Sequence, residues 1–326
     1  MTRRRSRLVF GILAGTVISA GIAAAAETKP IGFYAPWDAA SVASLRQHGD
    51  QLGAVVPAWI SVTGADHRVT VAPDPAGHAA ISALPSHPKL WLMVQNALLG
   101  SWDGTGAASL LPDPTATASL LDRIEQEGVA AKAGGVVVDL ESLPPGTQPD
   151  FLAFLAAARE RCRHHGWTLA VTVPVANPDW NIGAVARVAD RIILMAYDEH
   201  WQAGRPGPIA SNPWFASVVK GALAQIPPRR AVVAIASYAY DWPANGSATI
   251  LSIAQAEALA QRNGVRPQTD PTSGSAHFRY VADDVAHDVW MSDAATVRAQ
   301  IAIAHAAGAQ NIALWRLGTE DEAIWR

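Results

Sequence analysis

GGVVVDLESL, residues 134–143, is the stretch from which the rest of the chain can be read. Val136, Val137 and Val138 suit a strand covered on both faces, as in a parallel sheet, and the period of two sends Val137, Asp139 and Glu141 to one side. Carboxylates at the end of such a strand need a reason, because burying a charge costs several kcal/mol unless it is paired or used. Two readings stand: the acids cap the next helix or meet an arginine, or they are a general acid and its helper.

Outward from this strand the same grammar repeats. Upstream, IGFYAPW (31–37) reads as a strand with an aromatic exit, followed by a helix over 39–49 that Ser41 or Asp38 could cap. GAVVPAWISV (53–62) reads as one strand leaving through Trp59, KLWLMVQNA (89–97) as a third, and a helix over 115–128 leads to the strand at Gly134. Downstream come a helix over 149–165, strand WTLAVTVP (167–174), a short helix over 184–189, strand RIILMAYD (191–198), a helix over 213–226 and strand AVVAIASYAYDW (231–242). Residues 243–291 break the pattern and read as a small α+β insertion, before a helix over 294–307 and strand NIALWRLG (311–318). Eight strands alternating with helices, and no Gly-rich phosphate loop after the first, predict an α/β fold of the (β/α)8 barrel type, whose chemistry sits at the carboxyl ends of the strands. Asp139, Glu141, Tyr197, Asp198, Trp242 and Trp315 all fall at such ends.

The chain has 326 residues, 50% of them hydrophobic, which is ample for a large core. Its first residues, MTRRRSRLVFGILAGTVISAGIAAAAETKP, combine a basic start, an apolar stretch and small residues before Glu27, the pattern of a secretory signal peptide with cleavage near Ala26. The expected product is a secreted or periplasmic chain, 27–326, free of the membrane; an uncleaved anchor is the alternative. Losing residues 1–26 removes four arginines and no acid, so the formal charge goes from -3 to -7, which disfavours a nucleic-acid partner. The single cysteine, Cys162, excludes an internal disulfide. Twelve tryptophans are available to stack on the apolar faces of sugars, although core packing is the commoner fate of each.

With these residues in place, the chain resembles glycoside hydrolase family 18, the chitinase-like hydrolases, whose fourth strand carries D-x-x-D-x-D-x-E. The corresponding positions are Gly134, Val137, Asp139 and Glu141, so two of four acids are kept. The likeness extends to MAYD (195–198), which matches the family's M-x-Y-D, to a seventh strand leaving through Tyr238 and Trp242, and to Trp315. MAYDEHWQAGRPGPIASNPWF and ALWRLGTEDEAIW look most like the bacterial branch of spore-cortex and cell-envelope hydrolases. The resemblance implies retaining, substrate-assisted cleavage of a β-linked N-acetylhexosamine, a departure from the two-carboxylate scheme. Carried over, Glu141 protonates the leaving oxygen, Asp139 orients the acetamide, Tyr197 donates to its carbonyl, Asp198 positions sugar and acid, and Trp315 lies under the reacting sugar. Where the family has its middle acid this chain has Val137, so Asp139 lacks a carboxyl neighbour and other groups must settle its environment.

Further candidates are less specific. Tyr34 and Trp37 could line the pocket, and Trp59 could do so or simply pack. Asn96 could bond sugar hydroxyls or cap a loop, and His200 could touch a sugar, whereas His164 and His165 read as solvated at a helix end. The expected partner is an N-acetylglucosamine-containing polysaccharide, chitin-like, peptidoglycan or exopolysaccharide, bound by a monomer without cofactor or metal. The alternative is a catalytically weak or inactive glycan-binding barrel; a de-N-acetylase would need clustered Asp and His ligands, and none stands out.

Overall fold

The structure is a computed structural model that describes residues 28–98 and 100–326, so the expected signal peptide lies outside the described residues. Eight parallel strands form a closed barrel: β1 (Ile31–Tyr34), β2 (Ala54–Pro57), β3 (Lys89–Gln95), β4 (Gly135–Asp139), β5 (Thr168–Pro174), β6 (Arg191–Met195), β7 (Ala231–Ala236) and β8 (Asn311–Trp315). Each pairs with the next, and the ring closes where Ile31 of β1 lies opposite Ala313 of β8. The α/β barrel is therefore as the alternating pattern predicts.

The period of two sorts the core into two layers. Phe33, Val56, Met93, Val137, Ile193 and Val232 fill the barrel interior. Val136, Val138 and Leu140 point the other way and pack beneath the helices, with Phe151 and Leu155 of helix Gln148–His165 among their cluster. The low interior has room for the indole of Trp91 because Gly135 has no side chain; a Cβ there would sit 2.7 Å from the ring. Most helices begin where a short polar side chain precedes them: Asp38, Asp113, Asn181, Ser211 and Asp293 each accept a backbone N–H of the first turn. Cys162 is buried on helix Gln148–His165.

Two segments expected as single strands are each divided. In 53–62 the strand is interrupted after Pro57, and Ile60–Thr63 resumes it, with Ile60 and Ser61 parallel to Val94 and Gln95 of β3 and the whole segment in an antiparallel hairpin with Arg68–Val71. In 231–242 the barrel strand stops at Ala236, and Ala239–Pro243 pairs antiparallel with His287–Met291 instead of continuing along the barrel. The α+β insertion thus begins at Ala239, not 243. Its five strands follow the order Thr249–Leu251, Ala239–Pro243, Val285–Met291, Ala276–Ala282, Gln268–Thr269, with helix Ile253–Arg262 packed on one face. The opposite face carries Tyr240, Trp242 and Trp290 and packs with Tyr197 and Trp315 at the barrel mouth.

Candidate active site

Strand β4 carries its two acids to the mouth as its period requires. Asp139, 2% exposed, ends the strand above Val137 in the barrel interior. Its Oδ1 accepts a hydrogen bond from Thr172 Oγ1 at 2.5 Å. Glu141 lies two residues beyond Asp139, outside the ladder, and its main chain is held from the neighbouring strand by Asn96. The Asn96 Nδ2 donates to the Glu141 carbonyl at 2.8 Å, and the Asn96 Oδ1 accepts the Glu141 N–H at 2.8 Å. Register explains the clamp, since Gln95 of β3 is opposite Asp139 and the next residue is level with the chain leaving β4. Ser142 then turns at φ 54°, and its carbonyl passes so close to Gly104 that a Cβ there would lie 1.8 Å from it.

At the end of β6, Tyr197 is followed by Asp198, which adopts φ 63°. Asp198 Oδ1 accepts from Tyr238 Oη at 2.7 Å and from Tyr240 Oη at 3.3 Å, and the two phenols meet edge to face. Trp315 at the end of β8 is half-buried and meets Phe33 edge to face, with centroids 5.3 Å apart. Arg316 pairs with Asp38 at 2.6 Å, tying the exit of β8 to the loop after β1, where Trp37 is 61% exposed.

These contacts create a consistent electrostatic picture. Burial pushes the Glu141 carboxyl well above the usual carboxylate range, and the Asp139 and Asp198 charges push it further. Burial also raises Asp139, to about 6, while the Thr172 hydroxyl pulls it back. Asp198 is raised by the protein crowded around its carboxyl, although the residue itself is exposed, and its two tyrosine bonds oppose the rise. Tyr197 is held well above its ordinary value by burial and by Glu141, Asp139 and Asp198, so it is a proton-bearing donor. Such an arrangement can hold a proton on Glu141 near neutral pH beside an anionic partner, which general acid catalysis requires. Among the described residues, no three His, Cys, Asp or Glu side chains are grouped so as to hold a metal ion.

Some candidate residues lie elsewhere. Tyr34 is 1% exposed and packs outside the barrel against Leu45, Leu52 and Leu317, because the residue facing the interior is its neighbour Phe33. Asn96 is 0% exposed and its amide is taken up by the Glu141 backbone, so it is a clamp and not a sugar contact. Trp242 is fully buried against Tyr240 in the insertion sheet, their rings 5.0 Å apart, and packs within that sheet's barrel-facing cluster instead of surfacing. His200 Nδ1 donates to the Pro208 carbonyl, and its ring covers Gly207, so it braces the loop after β6. Trp59 packs on His78 and donates to Asp74. The chain pattern also held three residues that single-strand reasoning passes over. Thr172 continues the inward alternation from Ala170, Phe33 faces inward between Gly32 and Tyr34, and Tyr240 follows Tyr238 by two in SYAYDW.

Asn96→Ala removes both bonds to Glu141 and leaves partly buried backbone groups unpaired. The expected loss is about 1–3 kcal/mol of stability, read as a lower melting temperature. A variant as stable as the wild type would show that the clamp is dispensable.

The chain is similar to several known proteins. A Bacillus subtilis protein described as uncharacterized glycosylase YvbX is 24% identical over 252 residues, 73% of each chain. A cortical fragment-lytic enzyme of Bacillus anthracis is 26% identical over 250 residues, 72% of this chain, which spans only 58% of that relative. Among solved structures, a chitinase from Chromobacterium violaceum superposes with a TM-score of 0.83 at 27% identity, over 92% of this chain and 97% of that one. The family model described as glycosyl hydrolases family 18 matches residues 31–320, from the first barrel strand to just past the last, and the chain is a glycosidase belonging to that family.

Proposed function

We propose that this protein cleaves β-linked N-acetylglucosamine-containing glycans with retention of configuration, through attack by the sugar's own acetamide, with Glu141 as the general acid. The observation that carries the reading is the Glu141 carboxyl itself. It is fixed by its backbone, crowded by protein and flanked by Asp139 and Asp198, so it keeps its proton where a free carboxyl would lose it. In the first step the Glu141 proton passes to the glycosidic oxygen as that bond breaks, and the acetamide oxygen bonds to the anomeric carbon. Asp139 accepts the acetamide N–H and offsets the developing positive charge, and the protonated Tyr197 donates to the acetamide carbonyl oxygen. In the second step the Glu141 carboxylate takes a proton from water, whose oxygen bonds to the anomeric carbon from the side the leaving group vacated as the bond from that carbon to the acetamide oxygen breaks and the acetamide is restored. The names of the relatives, a cortical fragment-lytic enzyme and a chitinase, support a cell-wall or chitin-like polymer. Action outside the cytoplasm on such a polymer accords with the expected signal peptide.

The test compares an N-acetylglucosamine oligomer with its de-N-acetylated counterpart and follows the first anomer released by NMR. Cleavage of the acetylated chain alone, with the β anomer first, is expected. Equal cleavage of both chains, or the α anomer first, would overturn the reading. The rate should follow a bell-shaped pH profile, falling toward acid as Asp139 takes a proton and toward alkali as Glu141 loses its own. Both limbs should sit above the value of about 4 typical of free carboxyls, and belong to the coupled pair. One observation favours a second reading, a weak or inactive glycan-binding barrel: the layer beneath Asp139 is apolar, with Val137 fully buried there. Binding of the oligomer without turnover at any pH would select it.

A further inference from the structure

Asp139 is a carboxylate at the top of an apolar well. Val137 lies beneath it on its own strand, and Ala170 lies on the neighbouring strand facing the same interior. The titratable groups around it are Glu141 of its own loop and Tyr197 and Asp198 at the end of β6; burial raises all three, acidic neighbours, Asp139 among them, raise Glu141 and Tyr197 further, and the bonds from Tyr238 and Tyr240 oppose the rise of Asp198. A carboxylate so placed needs a donor to remain charged and oriented.

The donor is on β5. The register places Val171 opposite Val138, so the next residue, Thr172, stands beside Asp139, and it is buried at 4% exposure. Its hydroxyl lies 2.5 Å from Asp139 Oδ1 and 3.3 Å from the Val138 carbonyl. It has one hydrogen to give, and the shorter, charge-assisted contact takes it. Because threonine is branched at Cβ, its χ1 is restricted, and the strand aims the hydroxyl as rigidly as a side chain allows.

We propose that Thr172 is the positioning residue for Asp139. Its hydroxyl fixes the plane of the carboxylate by engaging Oδ1, and leaves Oδ2 as the oxygen free to meet Glu141 or a substrate N–H. A hydroxyl from the next strand thus supports the acid in a site whose lower layer is apolar. The catalytic consequence rests on the function proposed above; the structural one does not.

The experiment separates the two. Aspartate carboxyls are labelled with 13C, the Asp139 signal is assigned by its absence in Asp139→Asn, and it is titrated in the wild type, Thr172→Val and Thr172→Ser. Loss of the hydroxyl should raise the midpoint by roughly one to two pH units, and serine should restore most of it. In parallel, the acid limb of kcat on an N-acetylglucosamine oligomer should move up with the titration in Thr172→Val while KM changes little. Thr172→Ala supplies the same comparison should the valine variant not fold. An unmoved Asp139 midpoint in folded Thr172→Val or Thr172→Ala would overturn the proposal. A moved midpoint in a protein whose wild type never cleaves the oligomer would uphold it and overturn the proposed function instead.

Discussion

Glu141→Gln is expected to slow cleavage of an unactivated N-acetylglucosamine oligomer by on the order of 10²–10⁴, the usual worth of a positioned general acid. Glutamine preserves the shape of the side chain, and the Asn96 clamp acts on the main chain, so the variant should fold and bind the oligomer as the wild type does. What it lacks is the proton. On a substrate whose leaving group needs no protonation, such as a nitrophenyl glycoside, the loss should be much smaller, and the alkaline limb of the pH profile should disappear because the group that titrates there is gone. The measurement is kcat on both substrates across pH. An equal loss on both would remove Glu141 from the role of acid and point to a structural part for its carboxyl.

The barrel was legible because its strands advertise themselves in two ways. The Val-rich run at β4 is buried on both faces, and its alternation correctly puts Val137 and Asp139 inside and Val136 and Val138 under the helices. What was not legible was where a strand leaves the barrel. AVVAIASYAYDW (231–242) carries no Gly or Pro to mark where a strand leaves the barrel, and only pairing with His287–Met291 tells Ala239–Pro243 from Ala231–Ala236. Trp242 therefore reads from the sequence as the end of a barrel strand and lies instead in the insertion sheet. Tyr34 shows the converse limit: an aromatic at a strand end attracts attention, yet parity sends it outward and Phe33 inward. Positioning groups are harder still, because their partners are distant in sequence. Asn96 meets Glu141 across 45 residues and Thr172 meets Asp139 across 33, and no local pattern encodes either contact.

Asp139→Asn should have the second large effect, and it should act in opposite directions on activity and on stability. Asparagine keeps the size of the side chain and an Oδ1 that can accept from Thr172, but it removes a charge from a position that is almost wholly buried. Fixed charge aimed at a developing cation is worth most in such surroundings, and its loss is expected to lower kcat by on the order of 10²–10³. The same charge is a burden on the fold. The folded-state value of Asp139 is raised from 3.8 to about 6 by burial, so the stability linked to this group is fully present below its unfolded value and lost as the pH rises through about 6. At pH 7.5 the wild type therefore bears the cost of a buried carboxylate and the variant does not, a difference of about 1–3 kcal/mol once coupling to Glu141 is allowed for. The melting temperature of Asp139→Asn should exceed that of the wild type by a few degrees at pH 7.5, and the gap should narrow toward pH 4. Removing the Asp139 charge also relieves Glu141, whose alkaline limb should move down on whatever residual activity remains. A variant that is both inactive and less stable at neutral pH would mean that Asp139 supports the fold through contacts that outweigh its desolvation, and that the site does not store the unfavourable burial on which its chemistry depends.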